Sequence, residues 1–215
     1  MDAVIFDLDG TLLDSKAMIL RCFNTALQDF GYEPFGAEEL YPMIGMGLAL
    51  ILEKRGANKP EVMNRYIELQ TSTYMQDLKC FDGVPEMLKA LRNSGFLIAT
   101  ATMRRGAVSR VVLDGMGILG FFDAIIGADD TPEPKPSALH ILTTCQALNV
   151  QPGSAVMVGD TKYDIMAAKA AGVMAVGVTW GLGKRGEMAE AGAEHIFDAV
   201  NDLDGFLIRL RYMPE

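Results

Sequence analysis

Short apolar runs alternate along this chain with segments whose apolar residues recur at helical spacing. Runs bounded by turn residues read as buried strands, and apolar positions three and four apart read as helix faces. The pattern predicts strands at Ala3 to Phe6, Phe96 to Ala101, Ala124 to Gly127, Ala155 to Val158, Val173 to Val178 and His195 to Phe197. Between them it predicts helices over Pro85 to Asn93, Gly106 to Met116, Ser137 to Leu148 and Ile165 to Ala171, and a last one from about Asn201. Five or six strands with helices between them predict an α/β fold with an open, doubly wound parallel sheet of Rossmann type.

One stretch breaks the alternation. From Ser15 to Cys80 no strand is expected. Ile19, Phe23, Ala26, Leu27 and Phe30 share a helical face that stops at Gly31, and a second helix runs from about Gly47 to Arg55. A third begins near Pro60, with Asn58 and Glu61 spaced as a capping box and Val62, Tyr66, Leu69 and Thr73 at helical intervals. Residues 15–80 therefore read as a helical insertion in a core domain made of 1–14 and 81–215.

In such sheets ligands bind beyond the carboxyl ends of the strands, so the polar residues just after each strand should form one chemical set. After the first come Asp7, Asp9 and Thr11; after the second Thr102; after the third Asp129 and Asp130, with Lys135 further on; after the fourth Asp160 and Asp164. Carboxylates at the end of a buried strand are costly unless something binds them. A hard divalent cation such as Mg²⁺ is the expected partner, and a carboxylate beside it can serve as a nucleophile. Lysine and hydroxyl suit a phosphate. Asp164 also fits the first turn of a helix, where the dipole favours it. His140 and His195 lack metal-ligand spacing and read as structural, Trp180 as packing or a pocket wall, and the 14 methionines as core filler.

The net charge of −9 argues against nucleic acid as a partner. No segment approaches a membrane span. Cys22, Cys80 and Cys145 form no motif, and the chain opens directly into its first strand without an apolar leader. Together these predict a cytoplasmic protein, monomer or homodimer, with reduced thiols.

The motifs resemble those of the haloacid dehalogenase-like superfamily. Asp7-Leu8-Asp9-Gly10-Thr11, Thr102, Lys135-Pro136 and Gly159-Asp160-Thr161-Lys162-Tyr163-Asp164 are similar, in order, to its four motifs. The resemblance implies a Mg²⁺-dependent phosphatase acting on a small phosphorylated metabolite. Asp7 would be the nucleophile and Asp9 the general acid and base. Asp7, Asp160, the Asp9 carbonyl and Asp164, as ligand or as support, would serve the metal. Thr102, the Met103 amide and Lys135 would hold the phosphoryl oxygens. Met103 stands where the family often has Asn or Lys, and Arg104 or Arg105 is expected to replace part of that contact. Thr100 is the alternative placement of the second motif. An aspartate at position 9 favours phosphate esters over organohalides. Around Gly177 to Gly181 and Ala191 to His195 the chain is similar to phosphoglycolate phosphatases and related pyrophosphatases, which makes phosphoglycolate the expected substrate. A phosphomutase of the β-phosphoglucomutase type is the alternative, and a protein that only binds is disfavoured by the intact motifs. Cap candidates for contact with the leaving group are Gly45, Gly47, Lys16, Arg21, Lys54 and Arg55.

Overall fold

The computed structural model describes residues 1–72 and 77–212. Strand β1 (Ala3–Phe6) is buried throughout and leads into a turn that ends in the two-residue strand β2 (Leu13–Asp14). Then come α1 (Lys16–Asp29), α2 (Ala37–Leu40), α3 (Leu48–Glu53) and α4 (Pro60–Ser72), after which β3 (Lys79–Cys80) pairs antiparallel with β2. The two passages into and out of the helical segment are thus tied to each other as a short ribbon, which the sequence pattern did not reveal. The segment also holds α2 and a 3-10 turn at Tyr41–Met43 that were not expected. The Lys59 carbonyl accepts the amide of Met63, so Lys59 rather than Asn58 opens α4. Thr73 lies outside the described residues.

The remainder alternates strand and helix: α5 (Val84–Asn93), β4 (Leu97–Ala101), α6 (Gly106–Gly115), β5 (Ala124–Ile126), α7 (Leu139–Leu148), β6 (Ala155–Gly159), α8 (Lys162–Ala171), β7 (Met174–Val178), α9 (Arg185–Glu190), β8 (His195–Phe197) and α10 (Val200–Tyr212). Six strands form one sheet in the order β5-β4-β1-β6-β7-β8, every pair parallel. The order runs outward in both directions from β1, so the topological switch point lies at β1 and β6, where a ligand crevice is expected.

Side chains alternate along β1, and both faces are apolar. Ala3 and Ile5 face a core shared with Ile141 and Cys145 of α7 and Ile165 and Ala168 of α8. Val4 and Phe6 belong to a second core that includes α5, α6 and α10 and continues into the helical segment. There Phe23 on α1 meets the Tyr66 ring of α4 at 4.3 Å between centroids and Phe35 edge-on at 6.1 Å. Ile19, Phe23, Ala26 and Leu27 lie on the buried stripe of α1, as the spacing predicts, with Met18 and Cys22 beside them, whereas Phe30, expected on the same face, follows the last helical residue and is 45% exposed. Among the described residues no helix is long and apolar enough to cross a membrane.

Phe23 is 2% exposed and holds α1 and α4 together. Phe23→Ala should lower unfolding stability by about 3–5 kcal/mol. A denaturant midpoint close to wild type would show that the helical segment does not share the core's cooperativity.

Candidate active site

The chain leaves β1 at Phe6 with Asp7, whose amide still donates to the Val158 carbonyl of β6 at 2.9 Å. The Asp7 side chain is therefore held at the end of the two central strands. Gly10 has φ +90°, and a Cβ there would stand 2.2 Å from Asp160 Oδ2. A side chain at Gly181 would meet the same oxygen at 2.2 Å and the Gly10 carbonyl at 2.3 Å. These two glycines let the loops after β1 and β7 close around Asp160. The Trp180 indole N–H donates to the Thr11 carbonyl at 3.0 Å and fixes the first loop from the other side, so Trp180 packs rather than lining the cavity described below.

Asp160 is fully buried, and both its oxygens are held. Thr11 Oγ1 donates to Oδ1 at 3.2 Å and the Leu182 amide to Oδ2 at 2.7 Å. Asp164 sits in the first turn of α8, and its Oδ2 accepts the Thr161 amide at 3.0 Å and hydroxyl at 2.7 Å. Asp164 thus stands in the first turn of the helix, as its position predicts, and its carboxylate also belongs to the acidic cluster described next. Lys135, 3% exposed, donates to Asp7 Oδ1 at 2.9 Å and to Asp164 Oδ1 at 2.6 Å.

Asp7, Asp160 and Asp164 each place one carboxylate oxygen within 4.8 Å of the others. Three buried carboxylates against one ammonium leave excess negative charge in a water-poor space. Such a set fits a hard divalent cation, which takes oxygen ligands. Burial, then the Lys135 and Asp164 charges, set the Asp7 carboxyl, which is pushed up to about 7. Burial first, then Asp164 and Asp7, raises Asp160 well above the ordinary carboxylate range. Burial opposes the charge on Lys135, but Asp164 and Asp7 overcome it and hold the ammonium charged.

The Asp9 carboxylate is turned away from this trio. Arg104 grips it with both arms of the guanidinium, Nη2 to Oδ1 at 2.6 Å and Nε to Oδ2 at 3.2 Å, and the Arg104 side chain has no exposed surface. Thr102 follows β4, and its Oγ1 accepts the Arg104 amide at 3.1 Å, which leaves its own hydroxyl proton to donate. Thr100 lies inside β4, paired with Phe6, and its Oγ1 is buried without a partner. Thr102 is thus the threonine at the strand end. Met103 lines the adjoining cavity.

Asp129 and Asp130 support the loop after β5. The first accepts the Gly106 amide at the start of α6 at 2.8 Å, the second the Gly127 amide at 2.7 Å. His140 is fully buried beside Thr131. Burial and the Lys135 charge push it down to about 4, so it stays neutral. His195 packs on Phe206 at 4.4 Å between centroids, far from metal-ligand company. Among the described residues no cysteine forms a disulfide.

A cavity of about 690 Å³ opens beside Asp9, between the helical segment and the loops after β4 and β5. Gly45 and Gly47 line it, as expected. The basic cap candidates do not. Lys16 and Lys54 are off its wall, Arg55 pairs with Glu39 at 2.7 Å, and Arg21 pairs with Asp77 at 2.9 Å. The Arg104 fork on Asp9 was the feature least accessible to sequence reading. Position 104 could be named, but the direction of a long side chain could not.

Residues 4–178 match the family model described as haloacid dehalogenase-like hydrolase. The chain belongs to the haloacid dehalogenase-like hydrolases. It is 34% identical over 185 residues to the phosphoglycolate phosphatase of Aquifex aeolicus, covering 84% of this chain and 86% of that one. It is also 34% identical over 180 residues, 83% and 81% of the two chains, to a provisionally named pyrophosphatase, PpaX, of Caldanaerobacter subterraneus. A crystal structure of a predicted phosphatase from Clostridium acetobutylicum superposes with a TM-score of 0.86 at 28% identity, covering 97% of this chain and 98% of the other.

In this hydrolase the raised carboxyls make a stability signature. A carboxyl whose folded pKa exceeds its unfolded value is protonated more readily in the folded state, so ionising it weakens the fold. The metal-free protein should lose stability as pH rises from the ordinary value of 3.8 through about 7. A divalent cation that binds only the folded, ionised cluster should restore it. The melting temperature should therefore respond to added divalent cation more at pH 8 than at pH 5. Equal shifts at both pH values would contradict the cluster's role.

Proposed function

We propose that this chain, a phosphatase of the haloacid dehalogenase-like hydrolases, cleaves phosphate monoesters of small metabolites through a phosphorylated Asp7. The observation that carries the reading is Asp7 itself. It is buried at the switch point of the sheet, fixed by Lys135 at 2.9 Å, and joined to Asp160 and Asp164 in one acidic cluster. In this reading residues 15–80 form a cap domain over a core of 1–14 and 81–215, in a cytoplasmic enzyme.

Lys135 engages Asp7 Oδ1 and fixes the rotation of the carboxylate, so Oδ2 is the oxygen we assign to attack. The new Oδ2–P bond forms as the bond from phosphorus to the ester oxygen breaks. Asp9, standing beside the cavity, hands a proton to that leaving oxygen. In the second half Asp9 takes a proton from water, the water oxygen bonds to phosphorus, and the Asp7–phosphate bond breaks to release inorganic phosphate. The Thr102 hydroxyl, the Met103 amide and the Lys135 ammonium hold the phosphoryl oxygens as their charge grows. Asp7, Asp160 and Asp164, with the Asp9 carbonyl, would hold Mg²⁺, which when bound neutralises charge on the phosphoryl group. Arg104 Nη2 keeps hold of Asp9 Oδ1 through both proton transfers, while Oδ2, released from the weaker 3.2 Å contact with Nε, is the oxygen that carries the proton.

Asp7→Asn should fold normally and lose at least about 10³-fold in phosphate release with Mg²⁺ present. Near-normal turnover would remove Asp7 from the role of nucleophile. Release of inorganic phosphate, rather than isomerisation of a sugar phosphate, separates a phosphatase from a mutase.

Arg104→Met should lower kcat for alkyl phosphates by about 10–10²-fold, because the carboxyl that must meet the leaving oxygen is no longer fixed. For p-nitrophenyl phosphate, whose leaving group needs no proton, the loss should be much smaller. Equal losses on both esters would make Arg104 a structural residue only.

A further inference from the structure

The phosphoryl group is accounted for by residues at the strand ends, but the cavity beside Asp9 is not. Its volume of about 690 Å³ falls in the range of roughly 300–1,000 Å³ that holds drug-sized ligands. Its walls include Phe23, Ile44, Met46, Met63, Ile67 and Met103. Among the described residues the charged ones on its wall are Asp9, Arg104, Arg105 and Asp129. Arg104 is enclosed and already holds Asp9 with two hydrogen bonds, while Arg105 faces Asp129 at 3.5 Å. Arg104 Nη1 is buried without a partner and half-exposed Arg105 has donors to spare, but an anionic leaving group, a carboxylate or a second phosphate, would meet each of these cations beside a carboxylate that repels it. It would also leave most of an apolar cavity filled with water.

We infer that the cavity is the leaving-group subsite and that the preferred substrate is the phosphate monoester of a sizeable, uncharged, largely apolar alcohol. This rests on the phosphatase reading and specifies its substrate class. The ester oxygen would lie at Asp9 and the carbon skeleton along Met103 towards α1 and α4. Tyr66 and Gln70, hydrogen-bonded to each other at 2.9 Å, offer a polar spot among the apolar side chains of α1 and α4. Phosphoglycolate, with two carbons and a carboxylate, matches neither the size nor the polarity of the lining.

The test is a homologous series of ethyl, butyl and hexyl phosphate beside phosphoglycolate, with Mg²⁺ present. The alcohols hardly differ in acidity, so differences in kcat/KM report contacts rather than chemistry. Each methylene seated in an apolar pocket is worth roughly tenfold or more. Hexyl phosphate should therefore exceed both ethyl phosphate and phosphoglycolate by at least about tenfold. Met63→Lys, a half-buried position on the cavity wall, should lower kcat/KM for hexyl phosphate by about tenfold and raise it for phosphoglycolate. Binding of the same esters to Asp7→Asn protein, measured by calorimetry, reads recognition without turnover and should show the same order. A flat alkyl series, or phosphoglycolate preferred over hexyl phosphate, would overturn the inference while leaving the phosphatase reading intact. Graded binding with no turnover of any ester by the wild type would keep the subsite and overturn the phosphatase reading.

Discussion

Lys135 is the contact on which the site depends. Three carboxylates are gathered where β1 and β6 end, and a single ammonium lies between two of them. Without it the Asp7 and Asp164 charges would face each other in a buried space where such repulsion is strong. With it, Asp7 is held in one rotation and Asp164 is tied across to the third-motif loop. In the proposed mechanism the same ammonium also offers charge to an incoming phosphoryl group. Burying an ion pair seldom adds net stability. This one is better understood as positioning, at a point where an excess of negative charge is kept for a cation to neutralise.

The architecture brings those groups together through topology rather than local chain geometry. Asp7, Lys135 and Asp160 are far apart in sequence and meet because β1 and β6 are neighbours at the switch point. Close approach then requires residues without side chains, and Gly10 and Gly181 serve that need on two different loops. Trp180 and Thr11 fix the loop from which Asp9 projects. The precision of the carboxylate cluster is thus shared among four loops, each leaving the sheet at the same edge.

Much of this was legible in the sequence because strands buried on both faces leave an unbroken apolar run, and the residues after such runs had to share an edge. Ala3–Phe6 and Ala155–Gly159 are of this kind, and Asp7 and Asp160 could be placed side by side from them, while the four motifs were marked by the family resemblance. What escaped notice lacks a periodic signature. The ribbon of β2 and β3 is two residues long on each side. The helix α2 is a single turn. Arg104 and Arg55 could be marked as cations near the cap, but whether a long side chain reaches a cavity or folds onto a neighbouring carboxylate is decided by contacts distant in sequence. Of the basic residues expected to face a leaving group, Arg21 and Arg55 pair with carboxylates and Lys16 and Lys54 stand off the cavity wall, which on the helical segment's side is largely apolar.

That outcome bears on how a chain of net charge −9 handles an anion. Long-range attraction of a phosphate ester to this surface is unfavourable, and salt screens it within about 8–10 Å. Recognition therefore has to be local and of two kinds. In the proposed mechanism it is electrostatic at the strand ends, through Lys135, the Thr102 hydroxyl and a cation that three carboxylates would balance. In the cavity it is burial of apolar surface, worth roughly 25 cal/mol per Å² and indifferent to charge. A polar ester without an apolar body has only the first of these, against an opposing net field. An ester with such a body has both. The apolar wall is then the means by which an acidic protein selects among anionic esters, since all of them present the same phosphoryl group to the strand ends.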